Sequence, residues 1–491
     1  MTLNTNPLQH LTRLALVTIL AIGLAACDST SNDPAGPGID GSDVAVEGGR
    51  GTTVEVPLSL SAEAGIQALT VSVDGAAPED VPVNVGATEQ EIDYAFEIPA
   101  ASTVGTQYAL EFTLVDASGV ESTITATVVT GKLIEAPDTY EFTRNGESSV
   151  SYSGQTDRLD MLEEIKAYLG TGDGGGILSE QDLLDMYQNT GDNGGGNFSF
   201  TSDRDLKSKT FPPDLDANFF ETLFADAAAA SQNGSAGVEA SSGTAGLITR
   251  ENSGKTILVD ENGREFTQLI EKGMMGSVFY HQIYNVYLTD ARIGDQVNNV
   301  DLNEGSNYTA AEHHWDEAFG YWDPPLDFTS PWPSSRGDDD RFWSHYSNTV
   351  DNVANGQLGT NAIIMDAFIE GRTAIVNNDP TVRDAQRDVL YENLELVAAG
   401  VAVHYINNTL AHLNDGNTGE AFHTLSEAWA FTNALRYSPR RTISLDQIDV
   451  IMTDNFGSDG NFWNVTPAGL NAAKSTLVDT YPTLAPVQDD L

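Results

Sequence analysis

Only one cysteine, Cys27, occurs in the 491 residues, so the chain can close no disulfide on itself, and a cysteine-based metal cluster is excluded. Basic residues are scarce: 23 Lys and Arg stand against 72 Asp and Glu, a net charge of −49. The surplus is about one negative charge per ten residues and is spread along the chain rather than gathered in a tail. Such a field repels nucleic acid and anionic lipid, and no nucleic-acid partner is expected. It fits a hydrated acidic surface of the halophilic kind; an acidic binding surface is the alternative. Either way, a single Asp or Glu carries little information. Long hydrophobic runs are lacking too: Leu14–Ala26 is too short to span a bilayer, which takes about 20 residues. Histidines number eight, and the HExxH pattern of helical zinc peptidases is absent.

The apolar run follows Arg13 and has the form of a signal-peptide core. It ends in Leu24-Ala25-Ala26-Cys27, which resembles the lipobox of exported bacterial lipoproteins. Residues 1–27 are therefore expected to be a lipoprotein signal peptide ending at an acylated Cys27. The implied address is the cell envelope, at the outer membrane or cell surface, with the lipid on Cys27 as membrane anchor. Residues 28–43 are Ser, Asp, Pro and Gly and read as a flexible tether.

Residues 44–135 alternate apolar with polar in at least five short runs, among them VEVPLSLS, ALTVSVDG and STITATVV. This predicts a small antiparallel β-sandwich. LEFTLVDASG, residues 110–119, resembles the late strand and turn of Ig-like or cadherin-like modules, which leaves adhesion and a plain spacer both open. Residues 139–491 are mainly helical by pattern, with long helices expected over 265–288, 361–375, 381–413, 420–435 and 467–481. Two glycine-rich acidic stretches, TGDGGG and TGDNGGG, lack calcium-loop spacing and read as surface turns.

Four histidines fall into a repeat. Val278-x-x-His281-x-x-x-Asn285 recurs as Val401-x-x-His404-x-x-x-Asn408, and Ala311-x-His313-x-x-x-Glu317-Ala318 recurs as Ala421-x-His423-x-x-x-Glu427-Ala428. Residues four apart share a helix face, so His313 stacks on Glu317 and His423 on Glu427. Apolar flanks point these faces inward. Two such helical pairs predict a duplicated bundle whose centre gathers His281, His313, Glu317, His404, His423 and Glu427, a donor set suited to Fe, Zn or Mn. A buried His–Glu pair that merely satisfies itself is the alternative. Glu312 and Asp316 form a second acidic stripe beside His313, read as a solvated face; His345 and His412 have no repeat partner and read as peripheral. Between the halves, residues 321–343 hold Trp322, Trp332, Asp338 and Trp343 in a proline-rich acidic loop. That loop is either a ligand-contacting lid or a packed cover.

The runs QLIEKGMMG at 268–276, YTAAEHHWDEAFGY at 308–321, TYEFTRNGESSVSYSGQTDRLDML at 139–162 and NFWNVTPAGL at 461–470 resemble the bacterial lipoprotein family known as domain of unknown function 4856. That resemblance covers about 139–485 and implies no activity. More distantly, the duplicated helical plan is similar to the imelysin family, exported or lipid-anchored helical-bundle proteins linked to iron uptake. Their Gly-x-His-x-x-Glu signature is not matched: His and Glu here are four apart, and no Gly stands two before the His. The resemblance implies iron handling at the level of fold only.

Three functional classes follow. The leading expectation is an envelope lipoprotein that binds a transition metal or a metal-bearing ligand for iron acquisition, alongside an envelope transport protein. The second is a non-catalytic interaction or glycan-binding protein with a structural His/Glu core. The third is an imelysin-type metallopeptidase, which needs a metal, a general base and an open coordination position.

Overall fold

The computed structural model describes residues 35–41, 45–211, 216–333, 336 and 340–491; Cys27 and Asp338 lie outside them. A strand-rich region precedes a helical domain, as the patterning predicts. Its strands are β1 (Gly38–Asp40), β2 (Ala45–Gly49), β3 (Thr53–Ser61), β4 (Ile66–Val73), β5 (Glu79–Val81), β6 (Glu89–Glu97), β7 (Gln107–Asp116) and β8 (Glu121–Gly131). They form two sheets, in the orders β1-β3-β6 and β2-β8-β7-β4-β5. β2 runs parallel to β8, whereas β4 is antiparallel to both β5 and β7.

By their contacts, the described residues fall into two compact units, one taking in 35–41, 57–94 and 110–126 and the other 45–56, 95–109 and those from 127 onward. In the first, period-two alternation buries Leu58, Leu60, Leu69, Val71, Phe112 and Leu114. Asp116 closes the β7 turn by accepting the Ser118 and Val120 N–H groups.

The second unit takes in strand ends and the whole helical region, so the contact boundary does not follow the expected limit at 135. Buried Arg50 explains part of this. Its guanidinium donates to the carbonyls of Val376 at 2.8 Å and Asn299 at 2.6 Å. Val376 lies in the last turn of a helix, where a cation meets the negative end of the dipole.

The helical region begins with the hairpin β9 (Thr143–Arg144) and β10 (Glu147–Ser148), then α1 (Ser153–Asp173), α2 (Glu180–Gln188) and α3 (Asp216–Ser235). A second hairpin follows, β11 (Gly246–Thr249) and β12 (Thr256–Val259), then α4 (Phe266–Met274), which runs on through π-helical turns to Tyr287. Next come α5 (Asp290–Ile293), α6 (Ala310–Trp322), α7 (Phe342–Val353), α8 (Thr360–Asn377), α9 (Pro380–Asp415), α10 (Thr418–Ala434), α11 (Leu445–Val450) and α12 (Pro467–Thr480). The five long helices expected from periodicity are all present. The hairpins, α2 and α7 are too short or too polar to announce themselves.

The Glu312–Asp316 stripe is not a solvated face. Both side chains are fully buried against Arg372 of α8, at 3.2 and 2.9 Å. Arg144 adds a two-pronged pair to Glu312, and the Tyr140 hydroxyl donates to Asp316 at 2.8 Å. Gly371 lets α8 approach: a Cβ there would lie 2.0 Å from the Trp315 ring. Burial works against the Glu312 carboxylate, yet Arg372 and Arg144 outweigh it and hold its pKa down at about 2. Burial pushes Asp316 up to about 6, only partly offset by Arg372. Removing the cation strands buried Asp316 and leaves Glu312 with Arg144 alone. We expect Arg372→Met to lose about 3–5 kcal/mol at pH 7 by urea unfolding; a loss under 1 kcal/mol would show that the cluster is not needed for folding.

Candidate ligand-binding site

The starts of α6 and α10 share a local arrangement. α6 and α10 each begin with a glutamate held by an arginine from a β-hairpin: Glu312 by Arg144 at 2.7 Å, Glu420 by Arg250 at 2.8 Å. Each helix then presents its histidine to the segment that opens another helix. His313 Nδ1 donates to the Ser151 carbonyl, 3.0 Å, just before α1. His423 Nδ1 donates to Glu265 Oε2, 2.7 Å, at the start of α4.

The six expected metal residues do not, however, share one centre. His313 and Glu317 line a pocket of about 270 Å³. His423 lines a different cavity of about 980 Å³. Glu427 faces the buried ammonium of Lys272 at 3.8 Å, so its charge is already matched. His281 packs on the Phe211 ring at 4.6 Å, and burial pushes its pKa down to about 4. His404 Nε2 accepts from Asn408 at 3.0 Å, and burial lowers its pKa too. The correction has one cause: i, i+4 spacing fixes which residues share a helix face, while distant segments decide what that face meets. Among the described residues, no group of three or more His, Cys, Asp or Glu is arranged to hold a metal ion.

The larger cavity is the stronger candidate. It is walled by α1, α4, the start of α7, His423 of α10 and the β11–β12 hairpin. Cationic Lys166, Arg250, Lys255 and Arg341 share its lining with Glu163, Asp173, Glu265 and Glu271; Phe342, His345 and Tyr346 add aromatic surface. His345, expected to be peripheral, therefore lies at the cavity.

Several contacts set the chemistry of this wall. The Glu265 backbone N–H donates to Ser426 Oγ at 2.9 Å, which fixes the carboxylate against His423. Burial works against His423 protonation, but Glu265 outweighs it and holds the imidazole above its ordinary value. Asp173 accepts from the Leu258 N–H at 2.7 Å and the Thr267 hydroxyl at 2.8 Å. Burial, helped by Glu265, still pushes this carboxyl up to about 7. Beneath the cavity, Lys166 pairs with Glu271 at 2.8 Å, and Glu271 with Lys272 at 2.5 Å. Burial opposes the Lys272 charge, and Glu271 and Glu427 more than restore it.

The three tryptophans of the aromatic loop pack as a cover, while Arg341 and Phe342 at its end line the cavity. Trp322 stacks on Phe368 and Trp343 on Tyr280, with ring centroids at 5.6 and 3.5 Å. Trp343 also donates to the Met275 carbonyl at 2.9 Å. Trp332 is buried beside Phe328, the Arg336 guanidinium lying over its ring at 4.6 Å. These large rings contribute most by leaving water, and the fold hides them.

Asp173, Glu265, Arg250 and Lys272 are absent from the sequence-based site. Asp173 lies in TGDGGG, expected to be a surface turn, yet it continues the Leu162, Ile165, Leu169 stripe of α1 by one more turn. That continuation was the available signal. The raised Asp173 pKa has a sign that can be checked. A carboxyl shifted from 3.8 to about 7 binds its proton more tightly in the folded chain, so its contribution to stability is full below about pH 4 and is lost as pH rises to about 7. We expect the stability of the wild type relative to Asp173→Asn to fall across pH 4–7 and level off above, read by urea unfolding at stepped pH. A difference independent of pH would show an ordinary carboxyl.

No curated protein matches this chain. A family model described as Domain of unknown function (DUF4856) matches residues 137–482, and the chain belongs to that family.

Proposed function

We propose that this chain is a cell-envelope lipoprotein whose helical domain binds a small polar ligand carrying both charge signs, in the cavity beside His423. The carrying observation is that cavity: about 980 Å³, with a carboxylate-oriented histidine and cations facing anions. Pockets of this size commonly hold small molecules. The His423–Glu265 pair supplies a positioned donor, and charge-assisted hydrogen bonds contribute about 1.5–3 kcal/mol each. A metal enters this reading as part of a ligand such as a chelate, which a cavity can hold without supplying the coordination set itself. In that form iron acquisition is the physiological role we favour.

The address rests on the sequence: an apolar run ending in Leu24-Ala25-Ala26-Cys27, with no helix among the described residues long and apolar enough to cross a membrane. We expect Cys27→Ser to move the protein from the membrane to the soluble fraction; retention in the membrane would remove the anchor.

Ligand classes are separated by a thermal-shift screen of amino acids, short peptides, sugar acids and ferric chelates against the purified chain. A ligand present at 100 times its Kd adds about 2.7 kcal/mol. We expect one class to raise Tm by a few degrees, with affinity falling at least about tenfold in His423→Ala and unchanged in His404→Ala. No hit in any class, or a hit indifferent to His423, would overturn the reading. Bare Fe, Zn or Mn bound stoichiometrically in the absence of any chelator would restore a direct metal site.

A further inference from the structure

The smaller pocket holds a feature that the ligand cavity does not explain. In a chain with so few cations, Arg158, Arg204 and Lys209 line one space of about 270 Å³ together with His313 and Glu317. Arg158 is buried, and it has no carboxylate partner among the described residues: its guanidinium donates to the carbonyls of Asp205 at 2.9 Å and Gly154 at 2.8 Å. Lys209 makes no ion pair among the described residues either. Burial, then the charge of Arg158, pulls its pKa down. A Cβ built on Gly154 would lie 3.1 Å from Arg204 Nε and 3.6 Å from Arg158 Nη1, so the two guanidinium groups flank the same glycine.

Burying a cation without a counter-charge is costly, and elsewhere in this protein carboxylates remove that cost, as Glu312 and Asp316 do for Arg372. For Arg158 and Lys209 the acidic groups at hand do not do so. Glu317 accepts the Gln155 amide at 3.1 Å and lies 3.8 Å from His313 Nε2. Asp203 does pair with Arg204, through Nε at 3.2 Å, but from an exposed position, and Asp205 accepts the Ser208 N–H and hydroxyl.

We propose that this pocket binds a small dianion of the phosphate type, free or as the phosphoryl group of a small metabolite, with Arg158, Arg204 and Lys209 as its donors. Guanidinium groups offer paired N–H donors that match the edges of a tetrahedral oxyanion, and the ammonium adds a point charge. Gly154 adds no side chain of its own beside the two guanidinium groups. The proposal is independent of the His423 cavity.

The test is calorimetric titration of the full chain with inorganic phosphate and, separately, glucose 6-phosphate, at low and at 0.15 M salt. We expect saturable binding of at least one of them, weakened at least tenfold in Arg204→Ala/Lys209→Ala, retained in Lys209→Arg, and untouched in His423→Ala. Tighter binding of the sugar phosphate would identify a phosphorylated metabolite, and equal or tighter binding of inorganic phosphate the free anion. Arg158→Gln is the harsher variant; if it unfolds, the surface double variant still decides the matter. No saturable binding up to about 10 mM of either probe, or binding unchanged in the double variant, overturns the proposal.

Discussion

Arg144 and Arg250 do the same work at two places. Each leaves a β-hairpin and grips a glutamate in the first turn of a helix, Glu312 or Glu420. A carboxylate there already gains from the exposed N–H groups and positive end of the helix dipole, and a two-pronged arginine pair adds direction as well as energy. In each place the contact joins a hairpin to a helix nearly 170 residues downstream. Once it is made, the residues after the hairpin and the histidine one to three positions beyond the glutamate must face each other. Both pockets stand on that constraint.

Charge is distributed unevenly between surface and interior. The overall surplus of acid leaves the few cations to be placed where they do most. Arg372 neutralises two buried carboxylates, Lys272 sits between two others, and Arg50 caps the end of α8. Such buried pairs add little net stability compared with an apolar core of the same volume, but breaking one is severe. Their use here is to fix which helices meet.

The architecture was largely legible in the sequence, because it depends on local periodicity. Val54, Val56, Leu58 and Leu60 alternate inward along β3, and the long helices carry continuous apolar faces. The site was legible only halfway. His313–Glu317 and His423–Glu427 share helix faces as their spacing requires, but the partner of each histidine comes from about 160 residues away, as Ser151 or Glu265. Nothing local to the histidines encodes that choice. The same limit hid Arg372, whose partners sit 56 and 60 positions earlier in a stripe that reads as solvated. Thr143-Arg144 and Thr249-Arg250, each at a hairpin turn and each ahead of a helix, were the visible but unread mark of that shared arrangement.

The two pockets differ in electrostatics at the helices that open them, α1 and α4. Counted from the first residue of each helix, Gln155 of α1 matches Gln268 of α4, and Arg158 matches Glu271. At one pocket that position contributes a buried cation and the facing glutamate, Glu317, is satisfied by an amide. In the other it contributes a buried acid, which with Glu427 encloses Lys272. The hairpin arginine and its glutamate lie outside this difference, so the local arrangement is shared while the lining changes sign.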